Sequence, residues 1–150
     1  MKNILNISLL LGLFLGLFLS CEDDTIEVEY SSAYPIAGEW IVSEYWDGEY
    51  GYGPYLLFIY NTSFSEDSIW IDNIYDSGIK AKAGITGETT FAVTGSPDVS
   101  GALGGGTVDI EGEVTLGDPD QIRFRVILYD ASGVVIDDYY EIGQRKSGFD

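Results

Sequence analysis

Thr107-Val108-Asp109-Ile110-Glu111-Gly112-Glu113-Val114-Thr115-Leu116 is followed by Gly117-Asp118-Pro119-Asp120 and then Gln121-Ile122-Arg123-Phe124-Arg125-Val126-Ile127-Leu128. In the first run Val108, Ile110, Val114 and Leu116 oppose Asp109, Glu111, Glu113 and Thr115. In the second, Ile122, Phe124, Val126 and Leu128 oppose Arg123 and Arg125. Successive side chains of a strand point to opposite faces, so each run has one buried face and one wet face. The Gly-Asp-Pro-Asp between them carries turn chemistry and no apolar residue. The stretch predicts two antiparallel strands joined by a short turn.

The same pattern extends outward in both directions. Short runs rich in β-branched and aromatic residues fall at 37–46, 54–63, 68–74, 78–84, 88–94 and 134–145. Between them stand Gly48, Gly51 and Gly53, Asp76-Ser77-Gly78, Gly84 and Gly87, Gly95-Ser96-Pro97, Gly104-Gly105-Gly106, and Ser132-Gly133. Ile79, Ala81 and Ala83 oppose Lys80 and Lys82 in the same period of two. No stretch reads as a helix. Two all-β architectures accommodate about eight short strands, a β-sandwich and an up-and-down barrel. Only Gly95–Gly106 is a long connection, and sequential hairpins favour a meander whose closure removes both edges. The expected fold is an antiparallel up-and-down barrel of about eight strands, with the sandwich as the alternative.

The N-terminus follows a different logic. Lys2 precedes an apolar run from Ile4 to Leu19, which ends at Ser20-Cys21 and the acidic Glu22-Asp23-Asp24. A cationic start, an apolar core and a small residue before a cut are the parts of a secretory signal. Phe18-Leu19-Ser20-Cys21 resembles a lipobox, with Phe18 in place of the usual Leu. Residues 1–20 are therefore expected to be a lipoprotein signal peptide, 21–33 a lipidated acidic linker and 34–150 the barrel domain. Cys21 is the expected lipidation site and the route to a membrane. A permanent membrane helix is the alternative for the apolar run. The acidic tract resembles that of surface-displayed outer-membrane lipoproteins of the Bacteroidota; attachment facing the periplasm is the alternative.

Composition narrows the chemistry. The 150 residues carry 25 acids against 7 Lys and Arg, a formal charge of −18, which removal of Lys2 with the signal would make −19. That balance argues against nucleic acid, which needs clustered cations to displace phosphate counterions. The chain has no histidine and one cysteine. Ser-His-Asp and Cys-His nucleophile systems, an intrachain disulfide and CxxC metal sites are thereby excluded. Asp118-Pro119-Asp120 and Ser65-Glu66-Asp67 do not follow the EF-hand ligand pattern, and Gly104-Gly105-Gly106 lacks the Lys-Ser/Thr of a P-loop. No metal site and no cofactor is expected.

Aromatic residues are densest between Tyr34 and Tyr60. Tyr50, Tyr52 and Tyr55 sit on or beside glycines in the stretch Gly48–Pro54, which reads as a loop at a ligand mouth. Small-ligand pockets are mostly apolar with a few convergent polar groups, and tyrosine supplies both. Trp40, Trp46, Tyr50, Tyr52, Tyr55, Phe58 and Trp70 are the candidate ligand-binding residues. Filling a small barrel with large side chains accounts for any one of them equally well. Glu39, Glu44, Asp47, Asp72, Asp137, Asp138 and Glu141 are candidate acids. General acid–base work needs two of them facing across a cleft, and the sequence selects no pair. A Ser–Lys pair would need Lys80, Lys82 or Lys146 brought beside a serine, and GxSxG is absent. Asp24-Thr25-Ile26 and Asp67-Ser68-Ile69 resemble a three-residue O-glycosylation sequence, with Thr25 the more exposed candidate.

Ser32-Ala33-Tyr34-Pro35-Ile36-Ala37-Gly38-Glu39-Trp40, Tyr60-Asn61-Thr62-Ser63, Asp67-Ser68-Ile69-Trp70-Ile71-Asp72 and Gly143-Gln144-Arg145-Lys146-Ser147-Gly148-Phe149 occur in this order. Together they resemble the Bacteroidota lipoprotein family of lipid-binding putative hydrolases, whose members look like small lipocalin-type (calycin) barrels. The resemblance covers about Tyr34 to Phe149. It implies a lipid or other apolar small molecule in the barrel or at its mouth. Gln144 departs from the His found there in many members, which weakens the hydrolase half of the name. Three readings follow, each with its own structural consequence. A lipid-holding barrel needs an interior larger than its side chains fill. A surface glycan-binding module needs exposed coplanar aromatics on a filled barrel. A hydrolase needs two buried carboxyls, or a Ser–Lys pair, in one cleft.

Overall fold

The computed structural model describes residues 33–62 and 65–147. Eight strands follow one another, β1 (Gly38–Trp46), β2 (Glu49–Thr62), β3 (Ser65–Ile74), β4 (Ile79–Ile85), β5 (Thr90–Pro97), β6 (Thr107–Thr115), β7 (Gln121–Tyr129) and β8 (Val135–Ser147). Each pairs antiparallel with the next, and β8 returns to β1, so the sheet is a closed barrel in sequence order. The barrel, and not the sandwich, is the architecture. Among the described residues all the strands lie between residues 38 and 147, and they close the sheet on themselves.

The alternation that opened the reading sets the register of β6 and β7. Val108 faces Leu128, Ile110 faces Val126 and Val114 faces Ile122, all buried. Between them Glu111 lies opposite Arg125 and Glu113 opposite Arg123 on the outer wall. Leu116 departs from its expected buried place and is exposed, because β6 ends one residue earlier and releases it into the turn. Gly48–Pro54 also differs from expectation. Asp47 and Gly48, with φ of 50° and 83°, close a two-residue turn. Both central residues at positive φ match the twist of flanking strands, so pairing resumes at once and β2 begins at Glu49. The stretch is strand, not loop.

The interior is filled by its own side chains. Trp40, Leu57, Ile69, Ile71, Phe91, Val108, Phe124 and Val126 come from six of the strands, and each is at most 1% exposed. A space that admitted water would show as accessible surface on these residues, so the middle of the barrel holds no ligand-sized void against them. Of the two interiors open to an eight-stranded barrel, the filled one is found, and the larger space that a ligand held inside would need is not: the sheet is only just wide enough for large side chains to meet across the axis. Gly112 marks how close they come. A Cβ there would lie 2.3 Å from Phe124 Cβ and 2.6 Å from the Phe91 ring.

The two ends differ. At the end where β1 starts and β8 stops, the turn Ala33–Ile36 folds under the barrel, with Ala37 N donating to Ala33 O at 2.7 Å. Trp40 Nε1 donates to Ile36 O at 3.1 Å. The Arg145 guanidinium stacks 4.2 Å from the Trp40 ring and donates to Pro35 O, Ala37 O and Asp120 Oδ2. This end is plugged. At the opposite end, the β1–β2, β3–β4, β5–β6 and β7–β8 connections surround the barrel mouth.

One seam uses side chains in place of backbone. β4 and β5 pair only at Gly84 with Ala92 and Ile85 with Phe91. β5 then bulges between Val93 and Ser96, which moves its backbone out of reach. Ser96 Oγ accepts from Lys82 N at 3.0 Å and Asp98 Oδ1 from Lys80 N at 3.1 Å, continuing the ladder. Burial would raise the Asp98 pKa, but hydrogen bonds from Ser100, Leu103 N and Lys80 N outweigh it and lower it. Asp98 thereby also organises the long β5–β6 loop that the sequence singled out.

Candidate functional site

The mouth concentrates the polar groups that the sequence could not sort. Inward positions alternate along β1 as Trp40, Val42 and Glu44, and along β8 as Tyr139 and Glu141. Glu44 and Glu141 are direct partners across the β1–β8 ladder, which seals the barrel and puts both carboxyls inside it. Glu44 is 1% exposed and Glu141 0%. Tyr55 on β2, beside Val42 in register, brings its hydroxyl to the same place. Glu141 Oε1 accepts a long bond from Tyr139 Oη, 3.4 Å. Glu44 Oε1, Glu141 Oε2 and Tyr55 Oη have no hydrogen-bond partner. The Tyr55 hydroxyl faces both carboxyls without closing a hydrogen bond of ordinary geometry to either.

Burial dominates the electrostatics. It pushes the Glu141 carboxyl up to about 8, with repulsion from Glu44 adding and the Tyr55 hydroxyl opposing. Burial raises Glu44 as well, and Asp137 and Asp76 add to the rise. Tyr55 and Tyr139 are held in the neutral phenol form, first by burial and then by the carboxyls beside them. Among the described residues, the groups that shift Glu44 and Glu141 are tyrosines, other acids and one backbone donor, with no lysine or arginine. A neutral carboxyl beside one that ionises more readily is the arrangement of a general acid and base. In the conformation described, neither meets solvent.

Aromatic rings cover the pair. Tyr139 lies 5.7 Å from the Trp46 ring and 5.5 Å from the Tyr75 ring, centroid to centroid. Trp46 Nε1 donates to Asp137 Oδ1 at 2.8 Å, which fixes the indole across the β1 end. Gly51 makes room for it: a Cβ there would sit 1.6 Å from the Trp46 ring, so only glycine lets the indole lie flat on β2. Tyr52 Oη donates to Asp76 Oδ2 at 3.0 Å, tying the β1–β2 hairpin to the β3–β4 turn. Around this lies an apolar rim. Tyr50, Tyr52, Val99, Val134, Val135 and Ile136 are all more than half exposed.

The structure thus brings three sequence candidates, Trp46, Tyr52 and Tyr55, to one site, with Tyr50 on its rim. Tyr50 Oη donates to Gly53 O at 2.6 Å, and its ring stands edge-on to Tyr45, at 79°. Tyr52 and Tyr55 are tilted by 33°, so this group is no coplanar platform. Trp40 belongs to the plugged end. Phe58 and Trp70 occupy outward positions on β2 and β3, because one residue of the period-two pattern decides the face. Lys80 sits over the Tyr60 and Trp70 rings at 5.0 and 5.2 Å and pairs with Asp72 at 3.4 Å, giving that wall its own partners. Tyr75, Asp76 and Tyr139 are site residues that the sequence reading did not single out. Tyr139 was legible in principle, since it stands two residues from Glu141 on the same face. Tyr75 and Asp76 were not, because their positive φ, 62° and 44°, aims them by turn geometry.

Among the described residues, no three of His, Cys, Asp and Glu group so as to hold a metal ion. A groove of about 540 Å³ lies outside the barrel over β5–β8, with Arg123, Arg125, Glu111 and Glu113 in its walls. Its charges already have company, Arg125 on Asp138 and Arg123 over the Tyr140 ring, and it leaves no buried polar atom unpaired. The mouth is therefore the better candidate. Ser68 is buried and shares a hydrogen bond of 2.7 Å with Thr62, which makes it a poor glycan acceptor. Cys21 and Thr25 lie outside the described residues. No curated protein matches the chain. A family model described as lipid-binding putative hydrolase matches residues 25–150, nearly the whole chain and every strand of the barrel, and the chain belongs to that family.

Proposed function

We propose that the protein is a membrane-anchored module that binds a lipid or another apolar small molecule at the barrel mouth. The observation that carries this reading is the pairing of opposites there. An exposed apolar rim, Val134-Val135-Ile136 above all, surrounds buried polar atoms that have no partner. Contiguous exposed apolar surface marks interaction sites, and a buried acceptor without a donor costs about 1–3 kcal/mol. An amphiphile relieves both at once, with its tail across the rim and its head group toward Glu44 and Glu141. The filled interior favours this shallow pose over one inside the barrel.

The test uses dodecyl maltoside below its critical micelle concentration, followed by tryptophan fluorescence, with native mass spectrometry of the purified protein for a retained lipid. One-to-one binding is expected, weakened about tenfold or more by a Val135→Asp/Ile136→Asp double substitution that leaves the fold intact. Binding that ignores the rim substitutions, or no binding at all, would sink the proposal.

The anchor in this reading is Cys21, with the outer membrane and its outward face as the expected place. The described chain enters the barrel at the plugged end, so the mouth lies at the end away from that entry. Incorporation of labelled palmitate into the full chain, abolished by Cys21→Ala, is the expected result. Labelling that persists in the variant would remove the lipoprotein assignment.

A further inference from the structure

The mouth is built for one sign of charge. Glu44, Glu141, Asp76 and Asp137 all act on this site, and no lysine or arginine is among the groups that shift Glu44, Glu141, Tyr55, Tyr75 or Tyr139. Four of the cations among the described residues are held by acids elsewhere on the barrel. Lys80 holds Asp72, Arg125 holds Asp138, Arg145 holds Asp120 and Lys146 holds Glu39. Three rings, Trp46, Tyr139 and Tyr75, stand in a row over the carboxyls with neighbouring centroids 5.5–5.7 Å apart. The electron-rich faces of such rings attract a cation within about 6 Å, and quaternary ammonium groups are held by aromatic cages of this kind. Glu44 Oε1, the unpartnered oxygen of the more readily ionised carboxyl, lacks a donor or a positive charge, whereas Tyr55 Oη can donate or accept.

We propose that the mouth selects amphiphiles with an ammonium head group. This deepens the lipid-binding reading and rests on it, because the rim that takes the tail is the same. The head lies against the Trp46 and Tyr75 rings, with the buried Tyr139 ring behind them, Asp137 and Asp76 at its outer side and Glu44 and Glu141 beneath. Alkyl chain and charge have separate partners, the exposed Val134–Ile136 segment for the one and the ring-and-carboxyl cluster for the other. An anionic head of the same size meets carboxyls on every side and no donor cation. A neutral head gains the rim alone.

The test compares four probes on the chain from Glu22 onward, which keeps every strand of the closed sheet. They are dodecyltrimethylammonium, dodecyl maltoside and dodecanoate, each below its critical micelle concentration, and tetramethylammonium, which has the head without the tail. The buffer holds 0.15 M salt, which limits the reach of exposed charges to about 8 Å and suppresses general attraction to an acidic surface. Dodecyltrimethylammonium is expected to bind one to one, about tenfold tighter than the maltoside and about 100-fold tighter than dodecanoate. A Glu44→Gln/Asp137→Asn variant is expected to lose that preference, so that the ammonium and maltoside probes bind it about equally. Tetramethylammonium is expected to bind weakly at the same place. Equal binding of all three dodecyl probes would overturn the ammonium proposal and leave lipid binding standing. Failure of all three would overturn both. Tight binding of the ammonium probe that persists unchanged in the variant would assign it to the acidic surface, and would also overturn the proposal. Tetramethylammonium binding as tight as the dodecyl compound would exclude a lipid as the source of the head group and overturn the amphiphile.

Discussion

Glu141→Gln is expected to make the barrel more stable at pH 7, by about 3 kcal/mol, and to flatten the dependence of stability on pH between 4.5 and 8. The carboxyl is fully buried and held at about 8 in the folded protein, against an ordinary value of 4.5. A group whose pKa is raised by folding contributes its stability below the unfolded value, and that contribution is lost as pH rises through the folded one. The window is therefore 4.5 to about 8. Each unit of separation is worth about 1.4 kcal/mol, so by pH 7 about 3 kcal/mol has gone. Glutamine has the shape of the neutral acid and no proton to lose. Its oxygen keeps the Tyr139 contact, and its amide offers a donor toward the unpartnered Glu44 and Tyr55 oxygens. Glu44 is raised in the same direction and adds to the slope.

Urea midpoints at pH 5, 7 and 9 measure this. Repulsion within so acidic a chain also lowers stability as pH rises, so the informative quantity is the difference between wild type and variant. That difference is expected to grow from pH 5 to pH 8. A constant difference, or a variant weaker at every pH, would mean that Glu141 is ionised and satisfied in the folded protein. The prediction also bears on the site. A protein that gains stability when a polar group is removed is holding that group for something other than its fold.

The opposite end gives the opposite result. Arg145→Ala is expected to cost about 2–3 kcal/mol, the order of losing the charge-assisted hydrogen bonds of a part-buried ion pair. The guanidinium is nearly buried, its side chain 10% exposed, and it serves Asp120, Pro35 O and Ala37 O while lying on the Trp40 ring. Its loss strands a carboxylate and two carbonyls and uncovers the indole that anchors the N-terminal turn. Arg145→Lys is expected to recover only part, because a single ammonium cannot span these acceptors and stack as a plane. Urea midpoints for wild type, Ala and Lys forms test the ranking. A loss under about 1 kcal/mol for Arg145→Ala would show that the plug does not depend on this contact.

Most of the fold was legible because one physical rule, alternation in period two, recurs through the chain. Val108 to Leu128 announced a hairpin, and short connections announced a meander that closes. The errors were local and had local causes. Asp47-Gly48 makes so tight a turn that the following glycines stay in a strand, and Leu116 fell one residue beyond the end of β6. The candidate site was only half legible. Aromatic density pointed to Trp46, Tyr52 and Tyr55, but it pointed equally to Trp40, Phe58 and Trp70, which belong to the plug and the outer wall. Composition cannot tell an inward ring from an outward one when bulges reset the phase of a strand.

By itself the sequence determined an all-β domain of eight strands and the absence of histidine chemistry, because these depend on residue types and on spacing along one chain. Glu44 and Glu141 were two acids among many. Only closure of β8 onto β1, joining positions 97 residues apart in number, makes them partners inside the barrel. Their charge state, the rings above them and the missing counter-cation all follow from that closure. A strand pattern fixes which side of the sheet a residue faces; the tertiary fold decides what it faces there.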